Sequence, residues 1–296
     1  MPSYLKPDVL ARAESLGLMA RQVVEGLRVG DHKSPYKGFS VEFVQHREYV
    51  PGDDIRHIDW KSYGRSERYT IKQYEQETNY TAHVLVDCSN SMRYGAGETN
   101  KLEYAKLVAA SLSYLILRQR DSVALRVFND GWAAELPISS QLGHIHAITH
   151  TLEETKPKDK TRIGPLLDEV ADRIGRRGLV FVITDGLADV PTTLAGLRHL
   201  RFRGHEVVLF HVLHNDEVEF PLDGNIRFLG LEGFEELMTR PHLLRPAYLR
   251  AVQKYLAELQ KGCDGSGVDY VRMVTNRPLV AALGDYLVRR LQTGRR

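Results

Sequence analysis

The sequence predicts an α/β protein built on a doubly wound, mostly parallel sheet, with an N-terminal helix and a small β-rich elaboration. Three observations predict this class. From His83 onward, short apolar runs alternate with segments whose apolar residues recur every three or four positions, as in successive strand–helix units. The run Leu179–Thr184 is continuous and β-branched, which is typical of a strand buried on both faces. Two of these runs end in a carboxylate, Asp87 and Asp185.

Residues 1–80 are predicted to form a region of their own. Apolar residues at helical spacing predict a helix from Pro7 to about Gly30, where the glycine ends it. Between Phe39 and Thr81, alternating runs and the turn Pro51-Gly52-Asp53-Asp54 predict a small β-rich unit. Trp60 follows that turn, and we expect it to anchor the core of this unit.

Residues 81–296 are predicted to form the α/β domain, with an insertion around residues 214–245 that contains Pro221 and Gly224. The turn Asn129-Asp130-Gly131 predicts a hairpin within this domain. The predicted strands are His83–Asp87, Val123–Phe128, Ala133–Ile138, Leu179–Thr184, Glu206–Leu213 and Val268–Val274. The predicted helices are Lys101–Arg120, Leu142–Leu152, Pro165–Gly175, Thr193–Phe202, Pro246–Gly262 and Pro278–Leu291.

The composition excludes several classes of protein. The 296 residues contain 40 Lys and Arg against 38 Asp and Glu, and a net charge of +2 gives the whole chain little attraction for nucleic acid. Two cysteines, Cys88 and Cys263, are too few for a disulfide scaffold, a zinc ribbon or an iron–sulfur site. The longest apolar runs are too short to span a membrane, and the N-terminus has no signal core, so we expect a cytoplasmic protein.

The segment Asp87-Cys88-Ser89-Asn90-Ser91 joins a predicted strand to a helix, at the sheet edge where doubly wound folds bind ligands. Its carboxylate and hydroxyls offer oxygen ligands, which suit a hard cation such as Mg²⁺, with Mn²⁺ or Ca²⁺ as alternatives. Thr161 opens a helix and Asp185 ends another strand at the same edge. The sequence therefore predicts a metal site of Asp87, Ser89, Ser91, Thr161 and Asp185. The alternative is that these residues only cap helices and turns.

These five residues resemble the metal-ion-dependent adhesion site of von Willebrand factor A domains, over roughly residues 81–291. Further blocks are similar to the bacterial family called domain of unknown function 58, namely Gly38–Phe43, Arg47–Trp60, Lys72–Glu75 and Phe228–Glu232. The resemblance implies a von Willebrand A-like domain with a β-rich elaboration. Because members of this family are often linked genomically to MoxR-type AAA+ ATPases, it also implies such an ATPase as the partner.

The ligand types predict binding rather than catalysis. Ser89, Ser91 and Thr161 are neutral, so a bound cation stays electrophilic, and an Asp or Glu of a partner protein is able to fill its open position. We therefore expect a non-enzymatic adaptor with no catalytic residue, which binds its protein partner through the metal.

Two other functions remain as alternatives. A metal-dependent hydrolase would use Asp87 and Asp185 around the ion, with Asp53 or Asp59 as the base. Structural roles are the simpler expectation for the last two, with Asp53 in a turn and Asp59 paired with an arginine. A nucleic-acid binder would use residues 240–296, which hold 11 Lys and Arg against 4 Asp and Glu. We expect that basic segment to be a solvated helix surface instead.

Overall fold

The computed structural model of the chain describes residues 41–50, 58–66, 68–76, 81–224, 226–228 and 237–293. Residues 28–79 form one unit, and residues 80–296 together with residues 1–27 form a second. Each unit is described by itself. The predicted helix from Pro7 to Gly30 and the turn at residues 51–54 lie outside the described residues.

The small unit contains two antiparallel strands with a helix between them in the chain. The strands are β1 (Val41–Glu48) and β2 (Thr70–Gln76), and the helix is α1 (Trp60–Ser66). The carboxylate of Asp59 accepts hydrogen bonds from the backbone N–H groups of Lys61 and Ser62, at 3.0 and 3.2 Å. Asp59 therefore caps α1, because the first N–H groups of a helix have no partner within it.

The prediction that Trp60 anchors the core of this unit is wrong. Trp60 is the first residue of α1, and 62% of its surface is exposed. Trp60 makes an edge contact with Tyr63 at 6.2 Å between ring centroids, and Tyr63 in turn stacks on Tyr69 at 4.5 Å. Whether an aromatic ring on α1 is buried depends on the side of the helix on which it lies, and the turn before Trp60 does not determine this.

The large unit is built on a six-stranded sheet. Its strands are β3 (Thr81–Asp87), β4 (Ser122–Phe128), β5 (Trp132–Ser139), β6 (Leu179–Thr184), β7 (Glu206–Leu213) and β10 (Asp269–Val274). Their order is β5-β4-β3-β6-β7-β10. The β4–β5 hairpin is antiparallel and every other neighbouring pair is parallel. The chain thus builds one half of the sheet outward from β3 and the other half outward from β6. This is the doubly wound α/β fold that the sequence predicts.

Helices cover both faces of this sheet. The helices of this unit are α2 (Lys101–Arg118), α3 (His144–Glu154), α4 (Ile163–Arg173), α5 (Val190–Phe202), α6 (Asn215–Glu219), α7 (Pro241–Gly265) and α8 (Leu279–Thr293), and α6 belongs to neither core. One apolar core packs α2, α3 and α8 against the sheet, and a second packs α4, α5 and α7 against the other face. All six residues of β6 are buried, as expected for a central parallel strand.

The segment predicted as an insertion has more regular structure than its composition indicates. It contains α6 and an antiparallel pair, β8 (Ile226–Phe228) and β9 (Leu237–Thr239). Helix α7 begins at Pro241, not at Pro246 as predicted. Proline is tolerated in the first turn of a helix because the N–H groups there have no partner, and Pro241 occupies that turn. Pro246 lies inside α7, where the helix is exposed.

Candidate metal centre

The predicted site residues surround the crevice between β3 and β6. The chain leaves these neighbouring strands toward opposite halves of the sheet, so the loops after them diverge and leave a cleft. Asp87 is the last residue of β3 and Asp185 is the first residue after β6. Both residues are fully buried. The strand order alone therefore brings two carboxylates to one place.

Asp87 accepts hydrogen bonds from three neighbouring residues. Its Oδ1 accepts from the Ser89 backbone N–H at 2.9 Å, and its Oδ2 accepts from the Thr184 hydroxyl at 2.6 Å. The Thr161 hydroxyl lies 3.2 and 3.1 Å from the two oxygens. Burial and the nearby charge of Asp185 raise the pKa of Asp87 to about 7, although the bonds from Thr184 and Ser89 oppose this. The groups that bond Asp87 are neutral, so a cation beside it would compensate its negative charge.

The two serines present their hydroxyls to each other. Ser89 Oγ and Ser91 Oγ lie 3.0 Å apart, and both residues are buried. A 3₁₀ turn, Asn90–Arg93, follows Ser89, but the Ser89 side chain makes no capping bond to it. Capping of this turn therefore does not account for Ser89, and its hydroxyl remains within the polar cluster.

Thr161 reaches the cluster because its loop pairs with the loop after β3. The Asn90 N–H donates to the Asp159 carbonyl, and the Lys158 N–H donates to the Cys88 carbonyl, both at 2.9 Å. The Arg162 N–H then bonds the Asn129 carbonyl at 3.1 Å. These backbone bonds fix the position of the Thr161 side chain. Asp87, Ser89, Ser91 and Thr161 thus come together from two loops.

Asp185 has a different environment from the other four residues. Its Oδ2 lies 2.8 Å from the ammonium of Lys101, and its Oδ1 accepts from the Leu187 N–H at 3.2 Å. The same ammonium lies 2.7 Å from a carboxylate oxygen of Glu217. The Lys101 side chain is fully buried. Burial alone would lower the pKa of Lys101, but the charges of Asp185 and Glu217 outweigh it and raise the pKa.

The backbone at Asp185 and Gly186 is held in place by the side chains of His211 and Tyr255. His211 Nε2 lies 2.7 Å from the Asp185 carbonyl, and its Nδ1 lies 2.8 Å from the Tyr270 hydroxyl. A carbonyl only accepts, so Nε2 carries the proton; burial lowers the pKa of His211 to about 4, which keeps the ring neutral. Gly186 has φ +65°, and a Cβ there would lie 2.8 Å from the Tyr255 hydroxyl. Glycine is therefore required at this turn.

Sequence reasoning missed four residues of this centre: Lys101, Thr184, Glu217 and His211. One signal was available for Lys101. A lysine in the first turn of a helix opposes the helix dipole, so its presence there indicates a carboxylate partner. Glu217 lies in α6, where the sequence predicts only a polar insertion, and no local pattern pairs it with a lysine more than a hundred residues earlier.

The donor set fits a small, hard cation. Four oxygen-bearing side chains lie in one cluster, three of them buried and Thr161 partly exposed, and Mg²⁺ prefers oxygen ligands and keeps some of its waters. Both oxygens of Asp185 are already engaged, which suits contact with a cation through water. In the described part of the chain, no group of three or more His, Cys, Asp and Glu side chains is arranged to hold a metal. A centre in this cleft would therefore depend on the hydroxyls.

The sheet order and the polar cluster at its switch point define a doubly wound α/β protein. The chain belongs to the family described as "Protein of unknown function DUF58", whose profile matches residues 45–258. Two relatives are uncharacterized proteins of Mycobacterium tuberculosis and Mycobacterium bovis. Each is 25% identical over 299 residues, covering 98% of this chain and 93% of the relative.

Solved structures to which the chain is similar include three that each cover about the same share of it. An aerotolerance-related membrane protein from Bacteroides fragilis is 22% identical, with a TM-score of 0.47, and covers 72% of this chain and 99% of its own. The conserved hypothetical protein BatB from Bacteroides thetaiotaomicron has the same coverage, 21% identity and a TM-score of 0.46. The SpRpn10 VWA domain is 10% identical with a TM-score of 0.40, and covers 71% of this chain and 95% of its own. Among the described helices of the present chain, none is long and apolar enough to cross a membrane.

Proposed function

We propose that the centre binds a divalent cation, Mg²⁺ first and Mn²⁺ or Ca²⁺ as alternatives, and that the cation captures a carboxylate of a partner protein. The observation that carries this proposal is the grouping of Asp87, Ser89, Ser91 and the partly exposed Thr161 in one polar cluster. Asp87 and the two serines would be direct ligands, and Thr161 would be a direct ligand or would orient Asp87. When bound, the cation supplies a Lewis-acidic position for an incoming oxygen.

The charges around the centre favour capture of an acid. Lys101 is paired with both Asp185 and Glu217, so its single positive charge offsets part of the charge of Asp185. Asp87 then remains as the anionic ligand closest to the hydroxyls. A divalent cation held by one carboxylate and neutral oxygens keeps a net positive charge, which attracts the Asp or Glu of a partner.

We thus propose that the protein is a non-enzymatic adaptor and that its partner is a MoxR-type AAA+ ATPase. The partner rests on the family resemblance, whereas the capture chemistry rests on the site. The alternative is a metal-dependent hydrolase, with Asp87 and Asp185 around the ion and Asp53 or Asp59 as the base. Asp53 lies outside the described residues, and the Asp59 carboxylate already accepts hydrogen bonds from the N–H groups of Lys61 and Ser62 at the start of α1.

Metal binding is tested with Asp87→Ala and a matched control, Asp130→Ala. Asp130 lies in the turn after β4 at the same edge of the sheet, and its carboxylate is exposed. We expect the wild type and Asp130→Ala to bind Mn²⁺ in an electron paramagnetic resonance titration, and Asp87→Ala to lose at least about ten-fold in affinity. Equal affinities in all three proteins would overturn the metal centre.

Partner capture is tested by pull-down from the source cell with the same three proteins, in Mg²⁺ and in EDTA. An AAA+ ATPase recovered by the wild type and Asp130→Ala in Mg²⁺ alone supports the adaptor. Unchanged recovery with Asp87→Ala in saturating Mg²⁺ would show that the metal does not select the partner.

A further inference from the structure

Lys101 connects the candidate metal centre to helix α6. It is the first residue of α2, and its side chain is fully buried. Its ammonium lies 2.8 Å from Asp185 Oδ2 and 2.7 Å from Glu217 Oε1. A positive charge in the first turn of a helix opposes the helix dipole, and burial adds to its cost. The ammonium is therefore unfavourable for α2 itself, and the two carboxylates that it joins explain its position.

The ammonium engages the one oxygen of Asp185 whose partner is a side chain. Oδ1 accepts the Leu187 N–H at 3.2 Å, and the carbonyl accepts from His211 at 2.7 Å, so both are held within the loop. Asp185 lies near Asp87, because burial and then the charge of Asp185 raise the pKa of Asp87. Without the Lys101 ammonium, Oδ2 of Asp185 would be available to a cation that Asp87 holds.

The charges of this group match a divalent cation. Asp87, Asp185 and Glu217 supply three negative charges when ionised, and Lys101 supplies one positive charge, which leaves two negative charges. A divalent cation would balance them, so an incoming acid would meet a neutral group. If Lys101 were removed, the group would stay negative around the cation and would repel that acid.

We infer that Lys101 is a positioning residue that prevents Asp185 from binding the cation directly. The inference rests on the proposed function, since it concerns the ligands of the same centre. By holding Oδ2 of Asp185, Lys101 leaves the open position of the cation to a carboxylate of the partner protein, and it limits the negative charge that this carboxylate meets. Glu217 shares the ammonium, so α6 controls how firmly Lys101 holds Asp185.

The main test compares Lys101→Met with Lys106→Met, which removes another buried ammonium of α2, one that pairs with Glu103. Mn²⁺ affinity is measured by electron paramagnetic resonance, and the waters bound to Mn²⁺ are counted by water proton relaxation. We expect Lys101→Met to bind Mn²⁺ about ten-fold more tightly and with fewer waters, because Asp185 becomes a direct ligand. Lys106→Met should bind Mn²⁺ within about two-fold of the wild type, with an unchanged number of waters.

A double variant, Lys101→Met with Asp185→Asn, shows whether the effect depends on Asp185. We expect its Mn²⁺ affinity and bound waters to return close to the wild-type values, because the released side chain no longer carries a charge. Binding of a fluorescein-labelled oligoglutamate in Mg²⁺, measured by anisotropy, should be about ten-fold weaker in Lys101→Met and should recover in the double variant.

Glu217→Gln tests the same inference if Lys101→Met does not fold. Loss of the Glu217 charge leaves the ammonium to Asp185 alone, so we expect Mn²⁺ to bind about three-fold more weakly. The matched control is Asp216→Asn in the same helix, because Asp216 accepts the Tyr94 hydroxyl at 3.0 Å and not the Lys101 ammonium. Equal Mn²⁺ affinities in Glu217→Gln and Asp216→Asn would overturn the role of the shared ammonium.

Failure of this inference differs from failure of the metal centre. Unchanged or weaker Mn²⁺ binding in a folded Lys101→Met, with unchanged waters, would overturn the positioning role, while loss of binding in Asp87→Ala would still support the centre. Tighter binding that persists in the double variant would be a general effect of charge and would also overturn the role of Lys101. A wild type that binds no Mn²⁺ would overturn the centre itself.

Discussion

The two edges of the large sheet differ in the polar groups that they bury. At the carboxyl edge, the charged side chains of Asp87, Asp185 and Lys101 are fully buried and lie in one cluster. At the amino edge, the buried polar groups include two imidazoles, His83 and His205. Removing a charge from water costs several kcal/mol unless partners compensate, so a buried charged cluster is an expensive way to stabilise a fold. The amino edge also buries the carboxyl group of Asp121, just before β4, so what distinguishes the carboxyl edge is the grouping of three charged side chains, which is consistent with binding there.

The amino edge shows how a buried imidazole is kept neutral. Arg126 donates to His83 Nδ1 at 3.2 Å, which requires that nitrogen to be unprotonated. Burial, with help from the charges of Arg126 and His205, lowers the pKa of His83 to about 4. His205 Nδ1 accepts the Gly178 N–H at 3.2 Å, and burial lowers the pKa of His205 as well.

The largest effect is expected from Lys101→Met. The substitution leaves Asp185 buried beside Asp87 without its counter-charge. We expect the free energy of unfolding to fall by about 3–5 kcal/mol, measured by urea denaturation at neutral pH without divalent ions. Adding Asp185→Asn should recover part of the loss, because the uncompensated charge is then removed.

Lys106→Met is the control for this experiment. Lys106 also has a buried ammonium, but its partner Glu103 is close to half exposed and reaches water. We expect this substitution to cost less than about 1 kcal/mol. Similar losses for Lys101→Met and Lys106→Met would contradict the distinction drawn between the two kinds of ion pair.

The next effect concerns acid stability and the amino edge. Between pH 6.5 and 4 the unfolded chain protonates His83 while the folded protein does not, so the unfolded state binds more protons and stability falls as the pH falls. We expect His83 to contribute about 2 kcal/mol of the loss between about pH 7 and pH 5. His83→Gln should flatten the profile by that amount in thermal or urea unfolding. His146→Gln, at an exposed position of α3, should leave the profile unchanged, and coincident profiles for His83→Gln and the wild type would rule the account out.

The smallest effect on stability is expected from Thr161→Val. Valine keeps the shape of the side chain but removes the hydroxyl that bonds Asp87. We expect a loss of about 1 kcal/mol in unfolding and a Mn²⁺ affinity about ten-fold weaker. Thr155→Val removes the hydroxyl that bonds the Thr151 carbonyl at 2.8 Å and should not change metal affinity. Wild-type Mn²⁺ affinity in Thr161→Val would remove this residue from the centre.

Much of the fold is readable from the sequence because each strand has a local pattern. The run Leu179–Ile183 is apolar throughout because its strand has a neighbouring strand on each side and helices on both faces. Glu206–Leu213 is bounded as predicted for similar reasons. The start of α7 at Pro241 and the existence of α6 were not predicted, because both lie in a polar segment whose local pattern is too weak to indicate a helix. Asp87, Ser89, Ser91 and Thr161 were predicted together, and the structure brings them together.

The sequence by itself determined the alternation of strands and helices and the oxygen-bearing residues at the ends of two strands, because hydrophobic periodicity and residue chemistry are local properties. Only the tertiary structure decided that Lys101 and Glu217 join Asp185, that His211 supports its backbone, and that Trp60 faces water. Those contacts join residues far apart in the chain. Their pairing follows from the strand order and from the need to compensate each buried charge, and no single segment of the sequence determines either of these.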